Sequence, residues 1–280
     1  MIRRQVGNEF WLIPQHEHAL ISGKLAEQLG NKDFAKPSSA SAVLGIGLHD
    51  CGWVVHDDEP TLNASNIPID VFETTRPIGL RVWDESAERA TARDDYAGLL
   101  VSLHSLALSV FVTEQAPISG KAWDLSETRA RFEINRFQHK MIELQESLRS
   151  RLGMRNDRPL RHGLAEESLD PKEQRLAFDF RWLQAMDRLS LAICCTASPF
   201  KTIDSLHPRA GAATTSIRIE RANDQLVTLD PWPFAATEIT VQVPFRRLDA
   251  KPFTSVADFR ARYGRAAVEN FTATVRAHTI

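Results

Sequence analysis

SAVLGIGLHDCGWVV, residues 41–55, is small and apolar up to an adjacent imidazole and carboxylate, His49 and Asp50. The stretch predicts a helix running to about Val55, with Ser38 or Ser39 as its cap after Pro37. Gly45 and Gly47 let a neighbouring helix or a ligand come close. Successive residues on a helix point about 100° apart, so His49 and Asp50 meet at one point only where a helix end faces it. Burying an ionisable group without a partner costs several kcal/mol or more. A metal ion is one good partner, and a second side chain is another.

Upstream, QHEHALISGKLAEQL (residues 15–29) has Leu20, Ile21, Leu25 and Leu29 at helical spacing, with Gly30 as the stop. His18 shares a face with Ile21, Ser22 and Leu25. His16 lies about 200° away and falls outside any site that His18 joins. Residues 2–13 read as a hairpin or a lone strand around Val6-Gly7-Asn8-Glu9. Downstream, residues 56–77 hold Pro60, Pro68 and Pro77 and read as irregular. Helices follow over about 80–92, 94–112, 126–151 (Ser126 as cap) and 170–195 (Asp170 as cap, Pro171 next). The second of these is apolar on nearly every side.

After Pro199 the pattern changes to alternation. Residues 214–231 form a hairpin around Ala222-Asn223-Asp224, and 239–243 read as an edge strand able to pair with a partner. A short helix opens at Ser255, and 269–280 end as a strand. The expected fold class is α+β in a single domain, 1–280. A mainly helical body over 14–200 carries a small antiparallel sheet over 201–280, and the N-terminal strand over 1–13 is a candidate member.

The chain has 280 residues, 43% hydrophobic and 25% charged, with a net charge of −2. That is ordinary globular usage with no large positive field, so nucleic acid is not an expected partner. Three cysteines, two of them adjacent, form no disulfide framework and suit a reducing compartment. The N-terminal stretch does not read as a signal peptide, and no run of about 18 apolar residues predicts a membrane span. A cytoplasmic protein is the expectation.

Two further polar residues lie on apolar faces. Asp187 in RWLQAMDRLSLAICC (181–195) sits among Leu183, Ser190 and Leu191; an ion pair between helices or a metal would each satisfy it. His104 in LLVSLHSLALSVF (99–111) sits among Leu100, Val101, Ala107 and Leu108, as a core histidine or as a ligand. His139 lies in a charged helix and reads as solvated. The acidic run after His56 reads as a solvated loop, or as second carboxylates, Asp57 and Asp58, that fix a ligand histidine's tautomer.

The set His18, His49-Asp50 and Asp187, each on a separate helix, resembles the HD superfamily of metal-dependent phosphohydrolases. Nearly the whole chain is similar to the DUF3891 family, which has no assigned function, through Gln15-xx-His18-Ala19-xx-Ser22-Gly23-xx-Ala26, His49-Asp50-x-Gly52-Trp53 and Ser102-x-His104. The resemblance implies an HD-like helical bundle in which His18, His49, Asp50 and Asp187 bind one or two divalent metals (Mn, Fe, Co, Ni or Zn). His104 would be a further ligand or a proton donor, with His139 or His162 as weaker additions, and Asp50 and His104 would be the catalytic pair. The implied activity is hydrolysis of a phosphate ester by water that the metal activates. The alternatives are a non-catalytic metal-binding or interaction protein and a di-iron oxygenase. Expected partners are a small, phosphorylated substrate and a second copy in a homodimer. Where HD phosphohydrolases place a glutamate soon after the His-Asp pair, this chain has Cys51, Gly52 and Trp53. Arg188, about 100° from Asp187, is not expected to share its site.

Overall fold

A two-residue turn with Gly7 at φ +58° joins β1 (Ile2–Val6) to β2 (Glu9–Ile13). Glycine suits the left-handed first position of such a turn. This is a computed structural model, and it describes residues 1–114, 123, 127–154 and 170–278. Among the described residues, seven helices follow the hairpin: α1 (Gln15–Glu27), α2 (Ala40–Leu48), α3 (Val54–Asp58), α4 (Arg76–Thr91), α5 (Asp95–Glu114), α6 (Thr128–Arg151) and α7 (Pro171–Cys194). Then come β3 (Thr202–Leu206), β4 (Thr215–Asn223), β5 (Leu226–Asp230), β6 (Glu238–Asp249), α8 (Val256–Arg265) and β7 (Val268–Ala277).

Local chemistry sets several of these boundaries. The Ser39 hydroxyl accepts the Ala42 N–H at the head of α2, and Asp170 accepts Lys172 N–H at the head of α7. Pro77 falls in the first turn of α4, where its missing N–H costs nothing. The helix therefore starts earlier than the expected residue 80. Within 56–77, Asp70 and Glu73 form a capping box on a single 3₁₀ turn. Ser126, the expected cap of α6, lies outside the described residues.

The sheet overturns the expected architecture. It has seven strands in the order β1-β2-β6-β7-β5-β4-β3, and it is mixed and curled. With 50% helix and 22% strand, the chain is not a mainly helical HD-like bundle with a small antiparallel sheet. The last strand, β7, enters between β6 and β5. It runs antiparallel to β6 and parallel to β5. The N-terminal hairpin extends the sheet through β2, which pairs with the far end of β6. Residues 239–243, read as an edge, lie in β6 and pair with β7; the outer strands are β1 and β3. Alternation reports which face of a strand is buried and carries no record of its lateral partner.

One face of the sheet carries Ile217, Val227, Val241 and Val275 into a core shared with α1, α2, α5 and α7. A second cluster, with Trp83, Val101 and Met141, lies between α4, α5 and α6. The helix α5 feeds both clusters and is buried on most sides, as its composition predicts. On the opposite face of β2, Phe10 and Leu12 meet Phe253, Phe259 and Tyr263 of the α8 region. Among the described residues, no helix is long and apolar enough to cross a membrane.

Candidate metal centre

Glycines bring the helices together. A Cβ on Gly23 of α1 would stand 2.9 Å from the Gly47 Cα of α2, and one on Gly45 would stand 3.1 Å from the Ala97 Cα of α5. Such crossings need residues without side chains. The helix α2 then stops at Leu48 rather than reaching Val55. Asp50 leaves helical geometry (φ −122°, ψ 24°), and a 3₁₀ turn over Cys51–Trp53 leads into α3. Gly52 shows why. Its N–H donates to Ser86 Oγ at 2.9 Å, and a Cβ there would lie 2.2 Å from the Val82 carbonyl oxygen. The chain is pressed onto α4 at this point, and the break turns His49 and Asp50 toward the same place.

That place is where α1, α5 and α7 also arrive. His18 Nε2 lies 3.0 Å from Asp50 Oδ2 and 3.9 Å from Asp187 Oδ1. His49 Nε2 lies 3.4 Å from Asp187 Oδ1 and 3.9 Å from Asp50 Oδ2. His104 Nε2 lies 4.0 Å from Asp187 Oδ2. The His18, His49 and His104 rings meet edge to face, with centroids 4.9 Å and 5.0 Å apart. Ligands on one cation at bonds of about 2.1 Å stand roughly 3 to 4 Å from each other, which is the spacing seen. In two triads, His18-His49-Asp187 and His49-Asp50-His104, the ligand atoms all lie within 4.8 Å of one another.

Hydrogen bonds define which ring nitrogens are free. His49 Nδ1 is 2.8 Å from the Ile46 carbonyl, which can only accept, so Nδ1 carries the proton. His18 Nδ1 is 2.7 Å from Ser190 Oγ, whose own proton goes to the Asp187 carbonyl at 2.8 Å. Nδ1 of His18 therefore donates as well. Both rings turn Nε2 toward the carboxylates, and once unprotonated that atom has the lone pair that a metal-binding histidine needs. His49 Nε2, Asp50 Oδ1 and His104 Nδ1 are buried with no hydrogen-bond partner. Orphans of this kind are rare in proteins and call for an explanation. Two carboxylates and neutral imidazoles carry two negative charges, and a divalent cation fits that donor set.

The titration of these groups follows from the crowding. Burial opposes a charge on His49, yet the Asp187 carboxylate 3.4 Å from its Nε2 and the charge of Asp50 prevail and hold it at about 9. Burial also opposes ionisation of Asp50 and Asp187; the imidazoles prevail and hold both carboxyls below their ordinary value. Burial dominates at His104, against partial compensation from Asp187, and takes it down to about 4.

The site also contains residues that sequence reasoning left without a role. Gln15 Nε2 is 2.8 Å from Asp50 Oδ2 and 3.0 Å from His18 Nε2. It stands three residues before His18 on the same face, a spacing that could have found it. Ser22 Oγ donates within a cluster formed by Ser190 Oγ and the Met186 carbonyl, which locks the Ser190 hydroxyl in place. Asp57 is buried, but it serves α1 rather than a ligand histidine. It accepts Gln15 N–H at 2.6 Å and faces His16 Nδ1 at 3.2 Å. His16 lies outside the centre, Asp58 and His139 are exposed, and His162 lies outside the described residues.

Asp50, His104 and Asp187 line a cavity of about 250 Å³ walled by Trp53, Phe72, Trp83 and Trp123. Arg188 lines the same cavity, against expectation, because the space is wide enough to take in two neighbouring positions of α7.

The family model described as "Protein of unknown function (DUF3891)" matches residues 1–250. No curated protein and no solved structure matches the chain.

Proposed function

The chain belongs to the DUF3891 family of proteins of unknown function, and we propose from its site that it is a metal-dependent hydrolase acting on a phosphate ester. One observation carries the reading. Two imidazoles with protonated Nδ1 atoms aim Nε2 at two carboxylates on the floor of a cavity. His18, His49, Asp50 and Asp187 would hold the cation, and mixed imidazole and carboxylate donors suit Mn²⁺, Fe²⁺, Co²⁺, Ni²⁺ or Zn²⁺. When bound, such a cation lowers the pKa of water and polarises a phosphoryl oxygen.

The remaining work falls to the chain. Gln15 orients Asp50 through Oδ2 and leaves Oδ1 free to accept a proton from a water in the cavity. His104, with its pKa near 4, is neutral at ordinary pH. In that form it serves as a ligand or as an N–H donor to a phosphoryl oxygen, and it is a poor acid for a leaving group. The aromatic walls exclude bulk water from the floor. The order of residue types along the chain, His, His-Asp, Asp, resembles that of HD phosphohydrolases, and the likeness rests on those residues alone.

An open cavity beside the donors favours catalysis over a purely structural ion, which would be enclosed on all sides. The two triads share His49, whose one free ring nitrogen serves a single ion at a time. Protein extracted with chelator and reloaded with Mn²⁺ should hydrolyse p-nitrophenyl phosphate. Asp50→Ala should lose at least about 100-fold in kcat/KM, as expected when a group acting in the transition state is removed. Equal inertness of wild type and variant toward phosphomonoesters and nucleotides would sink the hydrolase reading. Two irons per chain with an optical band on oxidation would replace it with oxygen chemistry.

A further inference from the structure

We infer that the ligand of this cavity is a compact phosphate monoester of an aromatic or branched apolar group, its phosphate held by Arg188. The inference rests on the phosphate-ester reading above and narrows it to a substrate class. Arg188 is the one Lys or Arg among the described cavity-lining residues. Its guanidinium carbon stands 5.3 Å from the Phe200 ring centroid, and no described carboxylate lies within ion-pair distance of it. Its charge reaches the exposed Asp204 only as the last of several influences on that carboxyl. A guanidinium stacked on a ring is pre-oriented, and its fork matches phosphate oxygens two at a time.

One cation serves one phosphate. A di- or triphosphate would bring further charge toward Asp50 and Asp187 with no other basic side chain on the described wall to meet it. The cavity volume, about 250 Å³, is below the roughly 300–1,000 Å³ of ordinary ligand pockets. Trp53, Phe72, Trp83 and Trp123 offer flat apolar surface to the rest of the ligand, beside a few polar groups such as Thr74 and Gln184.

Phenylphosphonate, which cannot be hydrolysed, is the probe. Isothermal titration calorimetry of Mn²⁺-loaded protein should show it binding at least about tenfold more tightly than methylphosphonate, which lacks the ring. Metal-free protein should bind phenylphosphonate more tightly than ATP. Arg188→Gln should weaken phenylphosphonate at least about tenfold while Mn²⁺ affinity, read by competition with a metal indicator, stays at the wild-type value. Arg188→Lys should recover part of the loss. Unchanged phenylphosphonate affinity in Arg188→Gln overturns the inference, and so does ATP binding as tightly as the phosphonate. The two readings fail separately. Arg188-dependent binding without turnover of any phosphomonoester sinks the hydrolase and keeps the ligand class; turnover indifferent to Arg188 does the reverse.

Discussion

Divalent-metal affinity should climb steeply with pH, and the slope is set by His49. In the metal-free protein its imidazole is held at about 9, because Asp50 and Asp187 overcome the burial that opposes its charge. A ligand histidine must give up its Nε2 proton, so His49 contributes one displaced proton for each cation bound. Between about pH 6 and pH 8 a group at about 9 is almost wholly protonated. Apparent affinity should therefore rise close to tenfold per pH unit, or about 100-fold across the window. A histidine at an ordinary value near 6.5 would yield only about fourfold over the same range. His104, near 4, and the depressed carboxyls have already lost their protons and add nothing to the slope. Competition of chelator-treated protein with a metal indicator at several pH values gives the curve. Calorimetry in two buffers of different ionisation enthalpy counts the proton directly. A rise of fourfold or less, with no proton released, would show that His49 and Asp187 do not share a proton in the metal-free cluster.

The same shift bears on stability. A folded-state pKa raised to about 9 stabilises the metal-free fold fully below about 6.5, and the contribution is lost as pH climbs through about 9. Chelator-treated protein should thus lose melting temperature between about pH 7 and pH 9, and the Mn²⁺-loaded protein should hold it; parallel curves would contradict this. Ser190→Ala removes the acceptor of the His18 Nδ1 proton and should weaken metal binding about 10- to 100-fold with an unchanged circular dichroism spectrum. Wild-type metal affinity in that variant would show that the Ser190 contact does not set the tautomer. Gly52→Ala drives a methyl to within 2.2 Å of the Val82 carbonyl and should cost about 1–3 kcal/mol in a denaturant titration, with loss of metal affinity as Asp50 shifts. A variant as stable as wild type would mean that the turn over Cys51–Trp53 is not pinned by α4.

Much of the helical half was legible in the residues. Ser39, Asp170 and Pro171 mark helix starts by chemistry that acts within one turn. His18, His49, Asp50, His104 and Asp187 stand out because a polar group on an apolar face demands a partner, and that demand is local. What the partner is depends on chain segments more than a hundred residues apart, as in the His18–Ser190 contact. Gln15 and Ser190 carry no such mark, since a glutamine at the head of a helix or a serine within one is unremarkable until a ligand sits beside it. Arg188 was set aside on angle alone, and a cavity's width cannot be read from an angle.

The strands show the same division more sharply. Period-two alternation announced strands at β4 and β6, and the last segment, 269–280, read as a strand. The insertion of β7 between β6 and β5, and with it the mixed sheet, came from tertiary pairing. Side-chain pattern encodes burial, which each residue feels alone. Strand order and the break at Asp50 are settled by which backbones approach one another, and that depends on how the distant pieces pack.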